Sequence, residues 1–295
     1  MTSAWQYHTL KLTSRIICLL PYSWLLAMGR LLGRLYYHFA GRQRERALSQ
    51  IREGMGLPAA EAAQVIRRSF VNIAQTFLEV MYLPVLNREN ITKYVNIENR
   101  HYLDAALAEG RGVAVLSAHI GNWEWLGAAL AMHGYPVASI TKRQPNDHVT
   151  RLLNEYREAA GITSFSRGTT ELLAAAKALK KGMVLGFFSD QDGGYNGVFV
   201  EFFGKMASTP IGLAVFARKL ALPVVPIFIS RQPAGGHRII VGPPLHISPS
   251  ADEAADIYNF TVKAANIIED IVRSRPEEWL WFQKRWNTKW VGEQA

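Results

Sequence analysis

The stretch SAHIGNWEW, residues 117–125, contains an imidazole, His119, followed five positions later by a carboxylate, Glu124. On a continuous helix these two side chains would point about 140° apart and would not meet. They can converge if His119 ends a strand, Gly121 turns the chain and Asn122 caps a helix. Glu124 would then lie in the first helical turn, where the helix dipole favours a carboxylate. The alternative is a histidine that only makes structural hydrogen bonds at a strand end.

A carboxylate that contacts one ring nitrogen of His119 would fix the tautomer and leave the other nitrogen as a general base. Such a dyad has no nucleophile of its own, so it suits a hydroxyl that arrives with the substrate and attacks an ester or thioester. The chain has no G-x-S-x-G, P-loop or H-E-x-x-H motif, which disfavours acyl-enzyme chemistry, Walker-type phosphoryl transfer and zinc proteolysis. The dyad requires no metal or organic cofactor. An esterase that uses water as the nucleophile is a rival interpretation.

The elements around this motif predict an α/β fold with a mostly parallel central sheet flanked by helices. Apolar strand-like runs such as GVAVLSA, before His119, and MVLGFFSD, ending at Asp190, alternate with helical segments along the chain. In such sheets, functional sites form at the carboxyl ends of the strands. His119 and Asp190 both lie at the carboxyl ends of predicted strands, so we expect both of them at that edge.

Several arginines are candidates for binding an anionic substrate. Arg157 lies on an amphipathic helix, where a solvent-exposed face explains it as well as a phosphate or carrier contact does. Arg143 and Arg167 follow predicted strands and are comparable candidates.

Asp190 and Asp192 precede a Gly-Gly pair, where aspartates commonly cap a loop. Alternatively, Asp190 supports Arg157 or His119. A metal site is a weaker interpretation, because two carboxylates without further oxygen ligands at defined spacing carry little information.

The chain is basic, with 33 Lys and Arg residues against 24 Asp and Glu residues and a formal net charge of +9. This balance favours anionic partners such as an anionic membrane surface, an acidic carrier or nucleic acid. A nucleic-acid-binding protein is a rival to an enzyme, because tryptophans alternate with basic residues near the C-terminus. The single cysteine, Cys18, excludes an intrachain disulfide and a cysteine-rich zinc site.

Residues 16–40 form an apolar segment that contains two arginines and a histidine. Three interpretations are open: a marginal membrane span, a helix lying in the membrane interface, or a helix buried in the core. If the segment spans a membrane, the arginines that follow it favour a cytoplasmic C-terminal side.

Four blocks of the sequence resemble the bacterial lipid A biosynthesis (lauroyl/myristoyl) acyltransferase family. HIGNWEW is similar to that family's HxxxxD/E motif. The other blocks are an N-terminal apolar segment with a following basic helix, SDQDGGYNGVFVEFFG, and RPEEWLWFQKRW. The resemblance covers nearly the whole chain and implies an N-terminal anchor helix in residues 1–40, which associates with the membrane, and an acyltransferase domain in residues 41–295.

The resemblance implies an enzyme at the cytoplasmic face of the bacterial inner membrane. Its donor would be an acyl carrier protein thioester and its acceptor a hydroxyl of an anionic glycolipid, a lipid A precursor, with no nucleic acid partner. His119 matches the base of the motif and Glu124 its carboxylate partner. Arg157 lies near a functional arginine of the family, and Asp190 and Asp192 match its D-x-D block.

Two positions depart from the family pattern. Tyr195 and Asn196 stand where the family usually has an arginine or lysine, and Glu201 replaces a proline in a V-F-V-P-F-F block. The first departure affects how an anionic headgroup would be bound. The second introduces a carboxylate, and acidic residues occur in this block in the related mannoside acyltransferase branch. Acylation of another glycolipid or of a lysophospholipid therefore stays open as the alternative.

Overall fold

The computed structural model describes residues 4–141, 145–166, 169–290 and 292. Its helices form an N-terminal group and a second group that alternates with strands. The helices are α1 (Ala4–Cys18), α2 (Tyr22–Phe39), α3 (Gly41–Met55), α4 (Ala59–Tyr82), α5 (His101–Ala108), α6 (Trp123–Met132), α7 (Asp147–Ala159), α8 (Thr169–Lys180), α9 (Gly212–Leu220) and α10 (Glu253–Ser274).

Seven strands form the central sheet in the order β1-β9-β8-β2-β5-β3-β4, and a separate hairpin pairs β6 with β7. Within the seven-stranded sheet only β8 and β9 pair antiparallel. The strands are β1 (Val95–Glu98), β2 (Val113–Ser117), β3 (Val137–Thr141), β4 (Thr163–Ser166), β5 (Val184–Phe188), β6 (Val198–Phe202), β7 (Lys205–Thr209), β8 (Val224–Arg231) and β9 (His237–Val241).

The predicted α/β fold with a mostly parallel central sheet and flanking helices is confirmed. Both faces of the sheet are buried, as the continuously apolar strands predicted. On β2, Ala114 and Leu116 belong to one hydrophobic core, while Val113 and Val115 belong to the other. Because successive strand residues point to opposite faces, one strand contributes to both cores.

The N-terminal segment differs from the predicted apolar unit over residues 16–40. Two helices form there, and Pro21 precedes the second of them. Proline lacks a backbone N–H and disfavours helical backbone in the residue before it, so α1 ends and α2 begins anew. Among the described residues, no helix is both long and apolar enough to cross a membrane.

Helix α2 lies directly against α4. Leu25 on α2 is fully buried, and a Cβ atom on Gly33 would come within 2.4 Å of the Val71 Cα. Glycine at this position therefore lets the two helix backbones approach closely. The opposite side of α2 exposes several large apolar side chains, including Trp24, Leu35 and Phe39.

Candidate active site

Neighbouring strands place His119 beside Asp190. Strands β2 and β5 pair in parallel, with Ser117 opposite Phe188 at their carboxyl ends. His119 and Asp190 each follow these paired residues by two positions, so the register brings them together. The backbone N–H of Ser189 also donates to the carbonyl of Ser117 at 3.3 Å, which extends the pairing towards the site.

The carboxylate that contacts the His119 ring is that of Asp190. Nδ1 of His119 lies 2.8 Å from Oδ1 of Asp190, and the backbone N–H of His119 donates to Oδ2 at 2.9 Å. The predicted contact between His119 and Glu124 is thus replaced by one with Asp190, which was an alternative in the sequence interpretation. The physical reason is the parallel register, which delivers Asp190 to the ring directly from the adjacent strand.

Glu124 instead binds Arg157. The guanidinium of Arg157 donates from Nε to Oε2 at 2.9 Å and from Nη2 to Oε1 at 2.5 Å. Both side chains are largely buried, with 13% of Arg157 and 14% of Glu124 exposed. Glu124 lies in the first turn of α6 and Arg157 in the last turn of α7, so the two helix ends meet through a bidentate pair.

Burial alone would lower the pKa of His119, but the charge of Asp190 and its hydrogen bond, together with the charge of Glu124, outweigh it and raise the pKa. For Asp190, burial acts to raise the pKa, yet the His119 ring, the His119 N–H and the indole N–H of Trp279 lower it to about 2. Asp190 therefore stays ionised and favours the protonated form of the imidazole.

The other ring nitrogen, Nε2, lies on the side away from Asp190. Its neighbour is the exposed Gln191, whose Nε2 is 3.4 Å away. The ring lies between Trp123 and Phe188, with centroid distances of 5.2 and 5.0 Å, and 19% of the His119 side chain is exposed. The imidazole is thus held on one nitrogen by Asp190, and its side chain keeps a partly exposed surface, as a general base requires.

The turn after His119 has the predicted form. Gly121 has a φ of +60°, and a Cβ there would meet the carbonyl oxygen of Ile229 at 2.4 Å, so only glycine fits. Asn122 caps α6, because its side chain accepts from the Trp125 N–H at 3.1 Å. Asn122 is fully buried and supports the turn from within the protein.

Asn122 also belongs to a buried cluster that the sequence did not indicate. Its Nδ2 donates to Oε2 of Glu79 at 2.9 Å. Glu79, on α4, accepts two hydrogen bonds from Arg231 at 2.5 and 2.9 Å and one from the Tyr22 hydroxyl at 2.7 Å. Its carboxylate also lies 3.1 Å from Nε2 of His237. The available signals were a carboxylate close to the apolar positions of the amphipathic helix α4 and a basic residue at the end of a buried strand.

Asp192 and Glu201 lie apart from the His119 ring contacts. Asp192 accepts from the backbone N–H of Thr288 at 3.2 Å and from its hydroxyl at 2.8 Å, which fits a loop-supporting role. Glu201 is exposed on the β6–β7 hairpin. Arg143 and Arg167 lie outside the described residues.

Residues near the C-terminus reach the site as well. Trp279 Nε1 and Gln283 Nε2 donate to Oδ2 of Asp190 at 2.9 and 3.1 Å. The guanidinium of Arg285 is buried and donates to the Gln191 carbonyl at 3.2 Å. Burial lowers the pKa of Arg285 to about 10, although the charges of Asp190 and Asp192 act to raise it. The sequence interpretation missed all three residues.

Asp190 and Asp192 do not form a joint ligand set, because each is engaged by different protein donors. Within the described parts of the chain, no group of three or more His, Cys, Asp or Glu side chains is arranged to hold a metal ion.

Residues 1–288 match the family described as bacterial lipid A biosynthesis acyltransferase. The chain belongs to this family. It is therefore an acyltransferase, and the resemblance read from its four sequence blocks is confirmed.

Similar proteins include lipid A biosynthesis acyltransferases and phosphatidylinositol mannoside acyltransferases. A lipid A biosynthesis palmitoleoyltransferase of Escherichia coli is 25% identical over 94% of this chain and 89% of its own length. A lipid A biosynthesis acyltransferase of Haemophilus influenzae is 24% identical over 87% of this chain and 79% of its own. A phosphatidylinositol mannoside acyltransferase of Mycolicibacterium smegmatis is 26% identical over 79% of this chain and 76% of its own. The chain is similar to both groups at comparable identity.

Proposed function

We propose that this acyltransferase moves an acyl chain from a thioester of acyl carrier protein to a hydroxyl of a lipid A precursor, with His119 as the general base. One observation carries the proposal: Nδ1 of His119 is 2.8 Å from a fully buried carboxylate, that of Asp190, while the ring remains partly exposed. Among the described residues, no serine, threonine or cysteine side chain hydrogen-bonds to Nε2. In this proposal the nucleophile is the hydroxyl of the acceptor substrate.

In the proposed step, Nε2 of His119 takes the proton of the acceptor hydroxyl as its oxygen attacks the thioester carbonyl. A C–O bond forms, and the tetrahedral intermediate collapses as the C–S bond breaks. The imidazolium then returns its proton to the leaving thiolate, which departs as a thiol. Asp190 stabilises the imidazolium in between, because its charge favours the protonated ring.

Glu124 takes a different role in this proposal from the one the motif suggested. It orients Arg157 through two hydrogen bonds, and its negative charge acts on His119 from a distance. Among the residues that the structure describes, Nη1 of Arg157 makes one longer hydrogen bond, 3.3 Å, to the side chain of Asn154. We assign this nitrogen to an anionic group of a substrate, which a pre-oriented guanidinium would bind.

The alternative acceptor is a mannoside-type glycolipid. The relative named phosphatidylinositol mannoside acyltransferase is as similar in identity as the lipid A enzymes. Tyr195 and Asn196 stand where the family usually has an arginine or lysine, and Glu201, which stands where it has a proline, is exposed. A carboxylate at this surface suits the hydroxyls of a sugar better than a phosphate.

We also propose that the protein associates with the cytoplasmic face of the inner membrane, and the exposed side of α2 supports the membrane association. Large apolar side chains at i, i+4 spacing, such as Leu31, Leu35 and Phe39, are exposed there, and Arg30 and Arg34 on the same helix are also exposed. Apolar and basic side chains together suit an anionic lipid surface. We therefore propose that residues 1–40 lie in the membrane interface.

The acyltransferase proposal is tested by incubating the purified protein with acyl carrier protein thioesters and candidate acceptors. Lipid A precursors and phosphatidylinositol mannosides are offered separately, and products are identified by mass spectrometry. We expect His119→Ala to lower the rate by about 10²–10⁴-fold, whereas the half-exposed His246→Ala, a control, keeps the wild-type rate. Full activity of His119→Ala would overturn the base, and free fatty acid as the main product would indicate an esterase.

The membrane proposal is tested by co-sedimentation with vesicles that contain anionic phospholipid. We expect Leu35→Ser with Phe39→Ser to reduce binding about tenfold, because each substitution removes exposed apolar surface that lipid would cover. Leu173→Ser on α8 also removes an exposed leucine and serves as the control. Equal binding by all three proteins would contradict an interface at α2.

A further inference from the structure

The C-terminal segment (residues 278–288) contacts both strand ends that carry the dyad. The backbone N–H of Leu280 donates to the carbonyl of His119, and the N–H of Gly121 donates to the carbonyl of Glu278, each at 3.1 Å. Ile120 and Trp279 accordingly form an antiparallel bridge. The segment thus pairs with the chain directly at His119.

The same segment also binds the partner of His119. Trp279 Nε1 and Gln283 Nε2 both donate to Oδ2 of Asp190, at 2.9 and 3.1 Å. The backbone N–H of His119 is the third donor to that oxygen, at 2.9 Å. Oδ1 is left facing the imidazole, 2.8 Å from Nδ1. Three donors on one oxygen fix the rotation of the carboxylate, and so they determine which oxygen meets the ring.

We propose that Trp279 and Gln283 are positioning residues of the dyad, which hold the Asp190 carboxylate so that Oδ1 receives Nδ1 of His119. This inference rests on the proposed function, in which His119 is the base. Neither residue touches the His119 ring, so both act through Asp190. The C-terminal segment thus positions an active-site carboxylate and also contributes to the fold.

Other side chains of the segment hold the same loop without touching the Asp190 carboxylate, and they supply a control. Thr288 binds Asp192 through its hydroxyl at 2.8 Å, two residues beyond Asp190. Thr288→Val removes this hydrogen bond and keeps the side-chain shape. The variant therefore loses one side-chain hydrogen bond to the same loop, while every donor to Asp190 stays in place.

Gln283 is the better of the two residues to replace. Its Oε1 is buried without a hydrogen-bonding partner among the described residues. Gln283→Met removes one donor to Asp190 together with this unpaired acceptor, so the change in stability should be small. If Gln283 had only a structural role, Gln283→Met would therefore change neither the titration of His119 nor the rate of acyl transfer. Trp279→Phe removes the second donor and keeps an aromatic ring in the core.

The test is an NMR titration of the His119 ring in wild type, Gln283→Met, Trp279→Phe and Thr288→Val, with the resonance assigned from His119→Ala. Without these donors the Asp190 carboxylate can rotate away from the ring, so it stabilises the imidazolium less. We expect the His119 midpoint to fall by about half a pH unit in the first two variants and to stay unchanged in Thr288→Val. In the acyl-transfer assay, the first two variants should lower kcat about three- to tenfold with KM unchanged.

Coincident titrations of all four proteins would overturn the inference. So would an equal change in Thr288→Val, because that would indicate general loosening of the loop. The titration needs no substrate, which separates the two proposals. A shifted midpoint in a protein without transferase activity would refute the proposed function alone, whereas full activity with unshifted midpoints would refute this inference alone.

Discussion

Asp190 and Glu79 are both fully buried carboxylates near the same turn, yet their partners differ in kind. Glu79 is paired with Arg231, a permanent cation, and with the buried His237. Asp190 is paired with His119, whose pKa it raises and whose side chain is partly exposed. The groups that hydrogen-bond to Glu79 are largely buried. Asp190, in contrast, hydrogen-bonds to a partly exposed imidazole, which a substrate could reach.

The partner of a buried carboxylate determines whether the pair has a structural or a catalytic role. For Glu79, burial would raise the pKa, but His237 and Arg231 lower it far below its usual range, so its charge is fixed at all working pH values. Asp190 is also kept ionised, but its partner can gain and lose a proton. A fixed pair supports the fold around Asn122, and a titratable pair can move a proton.

The largest expected effect is a loss of stability when the charge of Glu79 is removed. Glu79→Gln leaves the Arg231 guanidinium buried without its counter-charge, so the free energy of unfolding should fall by about 3–5 kcal/mol. Urea denaturation measures it. Glu98→Gln is the control, because Glu98 forms a 3.4 Å pair with Arg238 at a partly exposed site and should cost at most about 1 kcal/mol. Equal losses in both variants would remove the distinction drawn for Glu79.

A smaller effect concerns the pH range over which the Asp190–His119 pair stabilises the fold. Lowering the pKa of Asp190 from 3.8 to about 2 corresponds to about 2 kcal/mol, present above pH 4 and lost as the pH falls towards 2. The raised pKa of His119 adds stability that is complete below 6.5 and lost above its folded value. The pair therefore contributes most between about pH 4 and 6.5.

Denaturation of wild type and Asp190→Asn across this pH range checks the expectation. The difference between their free energies of unfolding should peak in that window and shrink on both sides. The corresponding difference for Glu79→Gln should persist at alkaline pH, because Arg231 stays charged. A flat profile for Asp190→Asn would contradict a titrating partner.

The smallest expected effect tests Glu124 and Arg157 as one unit. Glu124→Gln and Arg157→Gln should each lower kcat/KM about tenfold, because both disrupt the same bidentate pair. The double variant should be no worse than either single variant, since the interaction is already lost. Kinetics of the four proteins measure this coupling. Additive losses would show that the two side chains act separately.

Part of the site could be predicted because it depends on local chain chemistry. The end of a strand before His119, the glycine turn at Gly121 and the cap by Asn122 follow from residue types and spacing, and the structure has all three. The strand ending before Asp190 was also predicted. Which carboxylate would contact His119 depended on the register of two strands, and spacing along the chain does not give that register.

The remaining part depends on contacts between distant segments. Trp279 and Gln283 lie in a segment without a regular helix or strand. The sequence of this segment therefore has no hydrophobic periodicity that would indicate its contact with the loop at Asp190. Glu79 is one of several polar residues on the amphipathic helix α4, and only its contacts with Arg231 and His237, from β8 and β9, distinguish it from the others. β1 has only four residues, too few for a clear alternation pattern.

The central claim, that Asp190 tunes His119 for proton removal, is tested most directly by the pH dependence of kcat/KM for acyl transfer. A general base must be neutral, so wild-type activity should fall as the pH drops through the raised pKa of His119, above 6.5. Without the Asp190 charge, burial dominates, and Asp190→Asn should move this fall to lower pH and reduce the plateau about 100-fold. A profile for Asp190→Asn that coincides with wild type would contradict the account.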